Sequence, residues 1–243
     1  MSIAVPPGRF DQVVAQLLEL APAGFLEEED ALVVYTDEAG LAGLRAHFDQ
    51  VDVDPVSPGW EDEWRRFHVP VIVGPLWVGP PWQEPQPGST PIVIDPGRAF
   101  GTGAHETTRL CLELLLGVDR GSFLDVGCGS GVLAIAAARL GFAPVVALYV
   151  DDAAVDAARR NAEANGVDLT VERADAASDS LPETDVAAAN VTLELVETLG
   201  PRIETAHLIT SGYLVGDEPR LPRFRRLERR MGERFAADLF ARE

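Results

Sequence analysis

The sequence predicts an open α/β sheet of mostly parallel strands, preceded by a smaller α+β domain. Three observations carry this expectation. From about residue 91 onward, short apolar runs alternate with segments of helical period. A glycine-rich turn, "DVGCGSG", joins one such run to an Ala-rich helix. The chain has 243 residues, 47% of them hydrophobic, enough for one medium domain and one small one.

The expected boundaries are 1–54 for the small domain, 55–90 for a connector and 91–243 for the large domain. In the first segment "SIAVP" and "GFLEEEDALVVYT" have strand character. "FDQVVAQLLELA" sets Phe10, Val13, Val14, Leu17 and Leu18 on one helical face, and "LAGLRAHF" repeats the pattern with Leu41, Leu44 and Phe48. "QVDVDPV" alternates like an edge strand. The resulting order is strand, helix, strand, helix, strand, which suits a two-layer domain. The connector is rich in proline and holds all four tryptophans, Trp60, Trp64, Trp77 and Trp82. A flexible linker has no use for four indoles, so this segment is expected to be ordered and packed on the large domain. A peptide groove lined by these rings is the alternative.

In the large domain the loop from Pro96 to Gly103 lets backbone approach a ligand. His105 precedes a helix that opens with Glu106, Thr107 and Thr108 and displays Leu110, Leu114 and Leu115. Next, "SFLDVGCGSGVLAIAAARLG" is a strand ending in Asp125, then Gly127, Gly129 and Gly131 at alternate positions, then a helix. That turn directs backbone amides and a helix N-terminus at a ligand, although its GxGxG spacing differs from the dinucleotide pattern. "PVVALYV", the helix "DAAVDAARRNAEANG", "LTVERADA" ending at Asp175, "TDVAAANV" with Asn190 at its tip, and "HLITSGYLV" continue the alternation. Ligands of such sheets bind beyond the C-terminal strand ends, where Asp125, Tyr149, Asp175 and Asn190 are expected to gather.

Composition narrows the chemistry. Asp and Glu total 39 against 20 basic residues, a formal net charge of −19, which repels phosphate backbones and attracts a basic protein partner. The basic run "RFRRLERRMGER" alternates with acids and is expected to be a solvated helix face. There is no lysine, which removes Schiff-base chemistry and the P-loop lysine. Two cysteines, Cys111 and Cys128, make neither a disulfide framework nor a metal site. The N-terminus has no signal-peptide pattern, and Arg, Gly and Pro interrupt the apolar runs short of the roughly 20 residues that span a bilayer. A cytoplasmic protein is expected.

These segments together resemble a known family. "DVGCGSGVLAIAAARLG" followed by "NAEANG" is similar to class I S-adenosylmethionine-dependent methyltransferases with a Rossmann-like sheet. "IDPGRAFGTGAHETT", "EDEWRRFHVPVIVGPLWVGPPW", "ANV" and "SGYL" resemble the PrmA-type ribosomal protein L11 methyltransferases. The resemblance implies a ferredoxin-like N-terminal domain that recognises substrate, S-adenosylmethionine as cofactor, and methylation of amino groups on a basic ribosomal protein. It implies cofactor contacts at Thr108, Asp125, Gly127, Gly129, Gly131, Tyr149, Asp175 and Asn190. Asn190 would orient the acceptor amine, and His105 would take up a proton.

The chain departs from that pattern at one position of consequence. Where the family reads Gly-Ile-Asp-Ile-Asp-Pro, this sequence reads Ala147 to Asp152, and Tyr149 stands on the acid that holds the ribose hydroxyls. The Pro-Gly-Gly turn before the fifth strand and a tryptophan near the end are also missing. Three readings stay open. The chain is an active PrmA-type enzyme with Asp151 or Asp152 replacing the acid, a degenerate ribosome-associated binding protein, or a methyltransferase of another protein or small molecule.

Overall fold

The computed structural model describes residues 2–4, 13, 17, 25–28, 31–34, 36, 38–48, 51–53, 68–96 and 103–243. The chain forms two compact units, residues 1–67 with 96–100, and residues 68–95 with 101–243.

In the first unit, strands β1 (Ser2–Ala4), β2 (Phe25–Glu28) and β3 (Ala31–Val34) form an antiparallel sheet in the order β1-β3-β2, joined by helix α1 (Glu38–His47). Val13 and Leu17 are helical and, with Leu32, Val34 and Leu44, make the small core. The segment expected to be one strand is two, because Glu28 pairs with Ala31 and only a two-residue connection separates them. Of the expected edge strand, Asp52 alone makes a bridge among the described residues.

The second unit holds two sheets. Strands β4 (Val71–Val73), β5 (Leu76–Gly79) and β6 (Thr90–Val93) form the smaller, with β5 antiparallel to β4 and parallel to β6. Trp77 is buried in β5 and Trp82 is half-buried beyond it, whereas Trp60 and Trp64 lie outside the described residues. The larger sheet has β7 (Phe123–Val126), β8 (Val145–Tyr149), β9 (Thr170–Arg173), β10 (Thr184–Asn190), β11 (Thr205–Leu214), β12 (Phe224–Met231) and β13 (Phe235–Arg242). Its order is β12-β13-β11-β10-β7-β8-β9. The five strands from β11 to β9 are parallel, and β13 and β12 close the edge as an antiparallel hairpin.

Helices cover both faces of this sheet. One face packs under α2 (Glu106–Leu116), α3 (Val132–Leu140) and α4 (Asp152–Asn165), with Leu110, Leu114 and Leu115 all buried. The other packs against α5 (Leu193–Leu199) with Leu221 and Phe224. A parallel sheet buried on both faces explains the continuous apolar strands "VVAL" and "VAAA".

The run "RFRRLERRMGER" is not a helix face. Most of it is strand β12, bulged near Leu227 where the register slips between Arg226 and Glu228. Acids from adjoining loops and from the neighbouring strand neutralise three of its arginines: Arg223 pairs with Glu204, Arg226 with Glu218, and Arg229 with the fully buried Asp238. An arginine-studded edge also resists pairing with another strand.

Candidate active site

The parallel order places β7 at the centre, with β8 to one side and β10 to the other. Strand order therefore reverses between β7 and β10, the position where open α/β sheets bind ligands beyond their C-terminal ends.

The β7–α3 turn forms the floor of that crevice. Gly127, Gly129 and Gly131 have φ of 77°, 52° and 82°, a left-handed path that side chains resist. A Cβ on Gly127 would lie 2.7 Å from Val191 Cγ1, so only glycine leaves the turn open towards the tip of β10. The amides of Gly127 and Cys128 both donate to the Leu148 carbonyl at 3.0 Å, fastening the turn to the end of β8. Asp125 is buried beneath it, and its Oδ2 accepts from the Ala134 amide at 3.1 Å. Gly131 offers no side-chain cap to α3, so Asp125 supplies one from the neighbouring strand. Burial raises the Asp125 carboxyl to about 7, partly offset by that bond.

Two asparagines that sequence reasoning treated only as the end of a helix also hold this floor. Asn161 donates to the Ser130 carbonyl at 2.9 Å and accepts from the Asp95 amide at 3.1 Å. Asn165 both accepts from Val93 N and donates to Val93 O, behaving as an extra strand partner for β6. Their spacing of four residues on an amphipathic helix was the available signal.

Across the crevice, Asn190 ends β10, and its Nδ2 reaches Thr108 Oγ1 on α2 at 3.5 Å. His105 caps α2: its Nδ1 accepts from the Thr107 amide at 3.4 Å and lies 2.8 Å from Thr107 Oγ1. Its ring packs edge-to-face on Phe235 with centroids 5.0 Å apart. The sequence-expected group thus divides. Asn190, Thr108, His105 and the glycine turn converge around the switch point, and Asp125 works beneath the turn.

Tyr149 and Asp175 occupy the other side. Tyr149 ends β8 with its ring half-buried against the core, and burial raises its phenol, with Cys128 and Asp151 adding to the effect. Among the described residues its hydroxyl has no hydrogen-bond partner. Asp151 caps α4 by accepting from Ala154 N, and Asp152 is exposed and pairs with Arg173 at 3.5 Å. Asp175 lies two residues beyond β9, where its carboxylate accepts from Ala177 N and Ser178 Oγ within one exposed turn.

Chemically, the crevice offers a glycine cradle, polar groups from Thr108 and Asn190, and a phenol at the tip of β8. It suits a ligand with a polar, compact end on the turn and a larger group along β8. Among the described residues no helix is long and apolar enough to cross a membrane.

Comparison with known proteins identifies the family. The family "Ribosomal protein L11 methyltransferase (PrmA)" matches residues 20–218. A ribosomal protein L11 methyltransferase from Dechloromonas aromatica is 49% identical over 194 residues, covering 78% of this chain and 64% of its own length. One from Symbiobacterium thermophilum is 40% identical over 211 residues, covering 82% of this chain and 67% of its own length. The chain thus spans about two thirds of the length of these curated relatives. Among solved structures, the ribosomal protein L11 methylase of Lactobacillus delbrueckii subsp. bulgaricus aligns with a TM-score of 0.63 at 28% identity, covering 72% of this chain and 98% of that one. A tRNA (uracil-54, C5)-methyltransferase from Pyrococcus abyssi, solved with S-adenosyl-L-homocysteine, shares the fold at TM-score 0.52 and 18% identity. On these matches the chain belongs to the PrmA family of ribosomal protein L11 methyltransferases.

Proposed function

We propose that this protein transfers methyl groups from S-adenosylmethionine to amino groups of ribosomal protein L11. The observation that carries this reading is the contact of Asn190 with Thr108 across the switch point, directly beside the Gly127 cradle. Bound S-adenosylmethionine supplies an electrophilic methyl on a sulfonium, a good leaving group, so the protein needs no strong nucleophile of its own. The glycine turn and Thr108 hold the amino-acid end of the cofactor. Tyr149 would offer its hydroxyl to the ribose, and the turn around Asp175 would lie on the adenine side.

Asn190 Oδ1 accepts a hydrogen bond from the incoming neutral amine and aims its lone pair, while Nδ2 is held by Thr108. Alignment of this kind accounts for most of the acceleration of a two-substrate displacement. His105 spends Nδ1 as an acceptor on capping α2, which leaves the proton of the neutral ring on Nε2, so taking up a further proton would require His105 to give up that cap. The net charge of −19 attracts a basic substrate, and the reading places the protein in the cytoplasm with its ribosomal partner. Residues 1–54 serve as the substrate-recognition domain, residues 55–90 as the connector and residues 91–243 as the catalytic domain.

A second reading, a family member that has lost useful cofactor binding, is favoured by Tyr149, which stands where the family pattern has an acid, while Asp151 caps α4 and Asp152 pairs with Arg173. Calorimetry with S-adenosylhomocysteine separates the two. Micromolar binding supports the enzyme, and no heat at millimolar ligand overturns it in favour of the second reading.

A further inference from the structure

Glu106 has no place in the chemistry described above, yet it makes the most concentrated set of polar contacts near the crevice. Its carboxylate accepts from three successive backbone amides, Glu233 at 2.5 Å, Arg234 at 3.1 Å and Phe235 at 2.9 Å. These residues form the turn between β12 and β13, and their converging amides make an anion-binding nest. Glu106 is also the first residue of α2, where a negative charge is favoured by the helix dipole. The fit is close: a Cβ on Gly232 would lie 2.0 Å from Glu106 Oε1.

The same turn carries Phe235, whose ring packs on His105, and His105 caps the helix that presents Thr108 to Asn190. We propose that Glu106 is a positioning residue, a latch that ties the C-terminal hairpin to the start of α2 and thereby sets where His105 and Thr108 stand. The Thr108–Asn190 contact is 3.5 Å, the limit of a hydrogen bond, so a small outward shift of α2 breaks it. The consequence for the cofactor rests on the methyltransferase reading; the consequence for the helix does not.

Two variants open the latch from opposite sides. Glu106→Gln removes the charge, and Gly232→Ala places a methyl group where the carboxylate sits. Each is expected to weaken S-adenosylhomocysteine binding about tenfold, the share of roughly one charge-assisted hydrogen bond. The double variant should bind no more weakly than the worse single one, because both break the same contact. Hydrogen exchange should quicken at Thr107 and Arg109 as well as at Glu233–Phe235 in both variants. Faster exchange confined to the hairpin, with Thr107, Arg109 and affinity unchanged, reduces Glu106 to a local anchor and overturns the proposal. Independent, additive losses from the two variants overturn it as well. If the wild-type protein binds no S-adenosylhomocysteine, the methyltransferase reading fails, and exchange at Thr107 and Arg109 alone decides the latch.

Discussion

Replacing Tyr149 by aspartate tests the composition of the crevice at its most unusual point. Tyr149 stands at the tip of the strand beside the glycine turn, the position from which related sheets hold a ribose with a carboxylate. The phenol gives a ribose one neutral hydrogen bond, worth roughly 1 kcal/mol, whereas a carboxylate gives two charge-assisted bonds of roughly 1.5–3 kcal/mol each. Asp151, close enough to raise the phenol, repels a new neighbouring charge and offsets about 1 kcal/mol of that gain. The net gain is about 1–4 kcal/mol, or roughly 5- to 700-fold in affinity. The same change removes a half-buried ring from the core, costing about 1–1.5 kcal/mol of stability. For a chain of this size that lowers the thermal midpoint by roughly 2–6 °C. Calorimetry with S-adenosylhomocysteine and a thermal melt read both numbers. A variant that melts earlier but binds no more tightly refutes the ribose position assigned to Tyr149.

Two further perturbations probe the frame of the site. Asp125 is raised from 3.8 to about 7, so between those values the folded chain keeps a proton that the unfolded chain has released. Its contribution is full below pH 3.8 and is lost as pH rises towards 7, at most ~4 kcal/mol at roughly 1.36 kcal/mol per pH unit. Asp125→Asn keeps an acceptor for Ala134 and should flatten the fall in urea stability over this range; an unchanged slope contradicts the assignment. Asp238 is fully buried against Tyr213 at 2.8 Å and Arg229 at 3.3 Å. Asp238→Ala removes the buried partner of Tyr213 and Arg229, leaving Arg229 with Glu218 and the carbonyls of Val215 and Asp217, and should cost about 2–4 kcal/mol, a drop in thermal midpoint of roughly 5–15 °C. A shift below about 2 °C would falsify the view that this pair pins the hairpin.

Much of the large domain was legible because its signals are local. The apolar strands, the alternating glycines and the Asn165-Gly166 helix stop each follow from rules that act within a few residues, and each is found in place. The hairpin β12–β13 was not legible, because edge arginines mask the alternation and the Leu227 bulge breaks its phase. Asp238 reads as a surface residue until Tyr213 and Arg229 arrive from other strands. Glu106 reads as an ordinary first-turn acid, since its three partners lie 127–129 residues away. Sequence reasoning brought Thr108, Asn190 and the glycine turn to one crevice. It also gave Asp125 a ligand-facing role, whereas the buried carboxylate is spent on the Ala134 amide.

The most direct measurement is intact-mass spectrometry of purified ribosomal protein L11 after incubation with this protein and S-adenosylmethionine. Mass increments of whole methyl groups are expected with the wild-type chain. Asn190→Ala, which removes the amine acceptor and the Thr108 contact, should slow their appearance at least tenfold, the cost of about one oriented hydrogen bond. Unmodified L11 after incubation with a wild-type chain that binds S-adenosylhomocysteine would contradict L11 as the substrate. An Asn190→Ala variant as fast as wild type would contradict the crevice as the place of transfer.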